Sequence, residues 1–551
     1  MRPSIFNDVI GPVMRGPSSS HCAAALRIGR LARELMNGAF DEVLIEFDRN
    51  GSLPTTHETQ GSDMGLAGGL MGWEADDERL PVSMQVLRDT RVRIRIETVD
   101  ARDPHPNTYR LTLRRGRERR FLRAISTGGG MIEVLNVDAF DISMSGDCFE
   151  TLLWVRSRGP ELAQALAALV SADAILAHEA GGEFMVEVKA PEFVSEQAIA
   201  GLSRAFDLGP VKRLSPVLPV LSRRGIQVPF STCAEMLRQD AGRNTPLWKL
   251  AVEYEMARGN LAEGEVLAQM VDIVRILRRS IAQGIAGTKH DDRVLGHQSG
   301  KFNHLMKAGR LLNGGVLNRI VLYVTALMEV KSSMGVIVAA PTAGACAALP
   351  GAVIALAEEM GLEEDGMAKA MLASGIIGVL IATRSTFAAE VGGCQAEGGS
   401  AACMAAAALV DMAGGTLAQS VAAASMAFQS MLGLICDPIA NRVEAPCLGK
   451  NVMAASNAFA CANMALANYD PVIPLDEVIE TAQRVAGQMP RELRCTALGG
   501  LSITPTSQAI ELRLGANKAT GCGSCGSRQP VTPSDRETQQ AKRRRRTRPA
   551  R

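Results

Sequence analysis

The chain has 551 residues, 47% of them hydrophobic but only 4% aromatic, with 12 cysteines and a formal net charge of +1. That length is ample to bury a large core and predicts three or four domains, so small size gives the cysteines no stapling role. Seven of the last ten side chains are basic, which leaves residues 1 to 541 at about −6; a mildly acidic body argues against nucleic acid as a partner.

The start, MRPSIFNDVIG, has no charged stretch leading into an apolar run and a cleavage site, and scattered rather than patterned cysteines fit the reduced thiols of a cytoplasmic protein. Residues 1–149 mix a helix with strand-like runs such as EVLIEF (42–47) and RVRIRIETV (91–99), predicting an α+β domain. Residues 150–222 run TLLWVRS, PELAQALAALVSA, AILAHEA, EFMVEVKA, SEQAIAGLSRAF and VKRLSPVLPV. That order is βαββαβ, a small two-layer sandwich. It holds no cluster of catalytic residue types, which suits a binding or regulatory module. Residues 228–512 read almost entirely as helix, with Ala, Met and Leu at helical spacing and Gly or Pro at the joints, predicting a large all-α domain. Apolar runs within 335–435 approach membrane-spanning length. Their richness in Ala, Gly and Ser, and the interruptions at Pro341 and Pro350, favour a close-packed helical core over a membrane span. Residues 513–551 end in KRRRRTRPAR; composition favours a disordered, solvated extension over a nuclear address or polyanion patch.

Four stretches are candidates to carry chemistry. In GPSSSHCAAALRIGRLAREL (16–35) three hydroxyls and His21 lead into an amphipathic helix whose apolar positions include Leu26, Ile28, Leu31 and Leu35. Such a loop offers donors to an anion, for example a substrate carboxylate, and is at minimum an N-cap. In PTAGACAALPG (341–351) Thr342 is placed to cap a helix, with Cys346 just inside it. In EVGGCQAEGGSAACMAAAA (390–408) Cys394 lies between paired glycines and a Gln395-Ala-Glu397 that would be costly in a plain core. LICDPIANRVEAPCLGKN (434–451) sets Cys436 and Cys447 around a proline-bounded loop. Singly, each cysteine is more often a small buried residue than a ligand. Together, thiols at irregular turns spread through the sequence suit a cluster built inside a fold better than a ferredoxin's tight spacing.

GPSSSH, the stretch 51–80 containing GSDMGLAGGLMGWEADDERL, EVKSSMGVIVAAPTAGAC, GGCQAE and CDPIANRVEAPCLGKN occur in the order found in the iron-sulfur-dependent L-serine ammonia-lyases, or L-serine dehydratases, and residues 1 to about 510 closely resemble that family. The resemblance implies a β-type region fused ahead of an α-type region, with an ACT-like domain at 150–222 taking an amino-acid effector. It implies a 4Fe-4S cluster on Cys394, Cys436 and Cys447, and no pyridoxal phosphate. Three thiolates leave one iron open as a Lewis acid for the β-hydroxyl of L-serine, while a base takes the α-proton. Ser18, Ser19, Ser20, His21 and Lys331 are the expected catalytic set, and Thr342, Lys450, Asn451 and Asp63 the expected substrate contacts. The expected partners are a small amino-acid substrate and a second copy in a homodimer, with neither membrane nor nucleic acid.

The chain departs from the family pattern at Gln60, which replaces a histidine, at Cys22, at Lys331 in place of asparagine, and at Ala343. His57, three residues before Gln60, reads first as a surface histidine and second as a substitute proton carrier. Lys331 adds a charge able to pair with an extra carboxylate or to act as a base. Some members end in a cysteine that reaches the cluster. This chain ends in arginine, with Cys522 and Cys525 nearby read as flexible thiols without a role. Two other readings stay open: the same scaffold acting on another 3-hydroxy amino acid, and a non-catalytic iron-sulfur and amino-acid sensor.

Overall fold

A computed structural model describes residues 2–223 and 225–519, with side chains through 515; Cys522, Cys525 and the basic run lie outside the described residues. The N-terminal region contributes β1 (Val13–Arg15), then a six-stranded sheet from β2 (Glu42–Asp48), β3 (Arg93–Val99), β4 (Thr108–Arg115), β5 (Glu118–Gly128), β6 (Met131–Val137) and β7 (Phe140–Met144) in the order β3-β2-β4-β5-β6-β7. Only β2 and β3 pair in parallel; the rest is antiparallel. The helices Ala24–Leu35 and Ser62–Leu70 pair with each other over this sheet. The glycine run GLAGGL is what lets them touch: a Cβ on Gly65 would stand 2.1 Å from the Cys22 carbonyl oxygen, and one on Gly69 2.0 Å from that of Leu26.

The expected βαββαβ unit is present: β8 (Phe149–Val155), helix Gly159–Leu169, β9 (Ala174–Ala180), β10 (Glu183–Ala190), helix Glu196–Leu202 and β11 (Leu208–Leu214), in the order β11-β8-β10-β9. Its fourth strand starts earlier than VKRLSPVLPV indicated, at Leu208. Strand alternation covers both faces. Leu153, Val155, Val186 and Val188 pack under the unit's own helices, while Leu152, Trp154, Met185 and Leu214 join the core of the N-terminal sheet.

From Cys233 onward the chain is helical, around the central helix Ser400–Met412. Its residues Ser400 to Val410 are buried on every side, against Ala348–Glu359, Glu364–Ala382, Leu417–Gln429 and Cys447–Leu466. Alanine on all faces permits this, since small side chains let four neighbours approach one axis at interior density. Among the described residues one helix, Glu364–Ala382, is long and apolar enough to cross a membrane, and it is mostly buried within the protein. Its Gly375 and Gly378 receive Ile5 and Val9 of the N-terminal segment so closely that a Cβ would lie 2.6 Å and 2.1 Å from them. Ser4 and the Ile5 amide bond the buried Glu255 carboxylate, fixing that segment inside the helical region.

One element departs from the all-helical expectation. Val336–Val338, read as part of a helical core, is a strand, β12, antiparallel to β1 with Val13 opposite Val338 and Arg15 opposite Val336.

Candidate active site

The β1/β12 ladder positions the site. Continued by Gly11 N–H to Ala339 O (2.9 Å) and Ala339 N–H to Pro12 O (3.1 Å), it lays GPSSSH alongside PTAGAC, and the Ala343 amide donates to Ser19 Oγ at 3.1 Å. Gly16 lies flat on Lys331, where a Cβ would meet the Lys331 carbonyl oxygen at 2.5 Å. Lys331 is wholly buried and its Nζ has no hydrogen-bond partner. Its charge acts on Glu397, Cys346 and Cys447. A buried ammonium in that state is a costly arrangement, eased by an anion supplied from outside.

Beside it lies a proton-handling chain. His21, fully buried, has Nδ1 3.0 Å from Ser18 Oγ and 3.4 Å from a Glu390 carboxyl oxygen, and Nε2 2.8 Å from Thr56 Oγ1. Thr56 donates its one hydroxyl proton to the Ser52 carbonyl at 2.9 Å. It therefore accepts from His21, which places the imidazole proton on Nε2 and a lone pair on Nδ1. Burial pushes the His21 pKa down to about 3, with His57 adding to the effect, so the ring is neutral near pH 7. Burial also raises the carboxyl of Glu390.

On the opposite wall Thr342 donates to Glu397 at 2.7 Å while accepting the Ala345 amide at 3.1 Å. Burial lifts the Glu397 carboxyl to about 7, with Thr342 and the cations Lys331 and Lys450 pulling the other way. Gly344 packs against this carboxyl: a Cβ would stand 2.5 Å from Glu397 Oε1, so any side chain there would displace the carboxyl. Asn451 clamps the same turn: its oxygen accepts from the amides of Ala347 and Ala348, and its nitrogen donates to Gly344 O and Cys447 O.

The thiols gather at the floor. Cys394, Cys436 and Cys495 form one small buried cluster with Ala389, and the Cys436 thiol exchanges hydrogen bonds with both of the others. Cys447 opens the helix Cys447–Leu466 and faces Cys394 electrostatically. One turn on, Lys450 Nζ reaches Cys394 Sγ at 3.8 Å while held by Ile435 O (2.7 Å) and Asp437 Oδ1 (2.6 Å). Glu390 and Glu397 both act on Cys495, which ties the thiols to the proton-handling groups. Among the described residues no three His, Cys, Asp or Glu side chains close around a point as a single metal ion requires. A cavity of about 260 Å³ between Pro17, Gly61, Ser332, Met334 and Arg442 opens beside the site, at the seam of the two regions.

The structure thus brings Ser18, Ser19, Ser20, His21, Lys331, Thr342 and the three expected cysteines to one locus. It gives Asn451 and Lys450 protein partners. It pairs Asp63 with His57 (Nδ1 to Oδ1, 2.7 Å), so His57 is a half-buried, partnered histidine rather than a free surface one. Burial works against the charged His57, but the Asp63 contact prevails and raises its pKa. Sequence reasoning missed Thr56, Glu390 and Cys495. The available signal was a carboxylate opening the EVGGCQAE stretch read for Cys394, and a cysteine in the otherwise unremarked RELRCTALGG.

Residues 242–502 match the family described as serine dehydratase alpha chain. The chain is 34% identical over 303 residues to a probable L-serine dehydratase alpha chain of Bacillus subtilis, covering 55% of this chain and 99% of that one. It is 34% identical over 282 residues to the L-serine dehydratase alpha chain of Peptoniphilus asaccharolyticus, covering 51% and 97%. A probable L-serine dehydratase beta chain of Bacillus subtilis matches at 38% over 144 residues, covering 26% of this chain and 64% of its own length. With the alpha- and beta-type matches in one polypeptide and the site built across them, the chain belongs to the L-serine dehydratase family of lyases, with its beta and alpha regions fused.

Proposed function

We propose that this chain is an iron-sulfur-dependent L-serine ammonia-lyase that converts L-serine to pyruvate and ammonia. The observation carrying the reading is the convergence of buried thiols from three separate segments on the groups around His21, Glu390 and Glu397. Cys394, Cys436 and Cys447 fit as holders of a 4Fe-4S cluster. All three are buried free thiols, and Lys450 supplies a cation beside Cys394 for an anionic thiolate set. A cluster asks less of them than a single ion does, because each cysteine binds a different iron.

When bound, the cluster supplies a Lewis-acidic iron for the substrate's β-hydroxyl. The chain does the rest. Lys331 neutralises the substrate carboxylate, aided by Ser19, Ser20 and the turn at Thr342. His21 Nδ1, with its lone pair facing Ser18 Oγ, receives the α-proton through that hydroxyl. Glu397, titrating near 7, returns a proton to the departing hydroxyl. The enamine product tautomerises and hydrolyses to keto acid and ammonia, a sequence that calls for no pyridoxal phosphate.

The same proposal takes 1–149 as the beta-type domain, 150–222 as an ACT-like module for an amino-acid effector, and 228–512 as the alpha-type catalytic domain, in a cytoplasmic homodimer. Support for the ACT-like assignment is the βαββαβ order with strands β11-β8-β10-β9. Anaerobic purification, iron and sulfide analysis, and a screen of hydroxy amino acids for keto-acid release test the whole. Metal-free protein that turns over serine overturns the cluster mechanism. The unpartnered Lys331 supports a second reading, a 3-hydroxy amino acid with an extra carboxylate, which the same screen separates from serine.

A further inference from the structure

Cys495 belongs to none of the motifs that point to the cluster, yet its sulfur lies with those of Cys394 and Cys436. The backbone is arranged to keep it there. Cys495 has φ +25°, an uncommon conformation for a residue with a side chain. The segment is tied down on both sides: the Cys436 amide donates to Leu493 O at 2.9 Å, and the Leu501 amide to Asp437 Oδ2 at 3.0 Å. Between these, Thr55 Oγ1 of the beta-type region lies 3.2 Å from Thr496 O, sharing its one proton between that oxygen and Ser52 O at 3.0 Å.

A second, independent feature is aimed at the sulfur. Gln60 Nε2 has two protons; one goes to Asn441 Oδ1 at 2.9 Å and the other to Cys495 Sγ at 3.5 Å. Asn441 is itself fixed by donating to Thr55 O and Thr59 Oγ1. An amide held so that its N–H meets a buried sulfur is how proteins support a metal-bound thiolate. As a thiol Cys495 can also donate to Gln60 Oε1, at 3.6 Å; as a thiolate it can only accept, and the Nε2–H contact is the one that remains.

We infer that Cys495 is a fourth sulfur ligand of the cluster, closing in the resting protein the corner that Cys394, Cys436 and Cys447 leave open, with Gln60 as the positioning residue that donates to its sulfur. The inference rests on the cluster reading above. It also accounts for Gln60 jointly with Cys495: the amide serves a ligand rather than a proton transfer.

The test uses the full chain loaded anaerobically with iron and sulfide, followed by iron analysis and electron paramagnetic resonance during stepwise ferricyanide oxidation. Four-thiolate ligation holds the fourth iron, whereas three-thiolate ligation releases it to leave a paramagnetic three-iron cluster. The wild type is expected to lose that iron about tenfold more slowly than Cys495→Ser. Gln60→Leu keeps every sulfur and removes only the amide; it is expected to lower the cluster's reduction potential, because hydrogen bonds to ligand sulfur favour the reduced state. Cys148→Ser, remote from the site, is expected to match the wild type in both measurements. A loaded wild type that releases iron as fast as Cys495→Ser, or an unchanged potential in Gln60→Leu, overturns this inference alone. A wild type that binds no iron and sulfide overturns the cluster reading and this inference with it.

Discussion

His21 Nε2 donates to Thr56 Oγ1 at 2.8 Å, and because Thr56 has already committed its own proton to Ser52 O, that one contact decides which ring nitrogen keeps a lone pair. Thr56→Val removes the acceptor and frees the tautomer. We expect kcat/KM to fall by about one to two orders of magnitude with KM little changed, and Thr56→Ser to restore most of it. Keto-acid release under anaerobic conditions measures both, and an unimpaired Thr56→Val would remove His21 from proton transfer.

Cys436 is the thiol that contacts both Cys394 and Cys495, so Cys436→Ser is expected to lose cluster colour, iron content and activity together. Replacing Cys403, a buried thiol of the central helix, with alanine is the matched control and is expected to keep all three. Retained activity in Cys436→Ser contradicts the ligand assignment.

Lys331→Met replaces an unpartnered buried ammonium with an apolar chain of similar length. The unfolding midpoint is expected to hold or rise, because the change orphans no hydrogen-bond partner. Loss of a charge-assisted contact worth about 1.5–3 kcal/mol raises KM roughly 10- to 100-fold. A higher kcat/KM for serine in this variant would identify Lys331 as selecting a different acid.

The contribution of Glu255 and Asp8 to stability is expected to fall as pH rises from about 5 to 7, against the opposite slope of His21 and His105, which burial keeps neutral. Burial pushes Glu255 up to about 7 and Asp8 up to about 6, whereas unfolded carboxyls titrate near 4. At these two carboxyls the folded chain therefore binds more protons than the unfolded chain in this window, and the stability gained at low pH is lost as pH passes the folded values. Glu255→Gln is expected to flatten the upper part of that dependence. Denaturation midpoints of the wild type and Glu255→Gln recorded across the range isolate the carboxyl contribution, and a difference between them that does not change with pH would show Glu255 held ionised.

What the sequence conveyed tracks how local each signal is. The βαββαβ unit was legible because period-2 strands and helical runs alternate within seventy or so residues. The helical core was legible because Ala-rich stretches carry their pattern within a few turns. β12 was not, since its three residues become a strand only through β1, at the far end of the chain. Thr56 sits in an ordinary helix and Cys495 in a turn without a motif. Each acquires meaning only when the fold sets another group against it, His21 in one case and Cys436 with Gln60 in the other.

The β1/β12 ladder has a consequence for dilution. Among the relatives, the alpha and beta types occur as separate chains in Bacillus subtilis, and a site divided between two molecules weakens as they are diluted apart. Here both strands belong to one polypeptide, so their meeting is intramolecular and does not depend on enzyme concentration. Specific activity should then stay flat down to enzyme concentrations at which a two-chain relative dissociates.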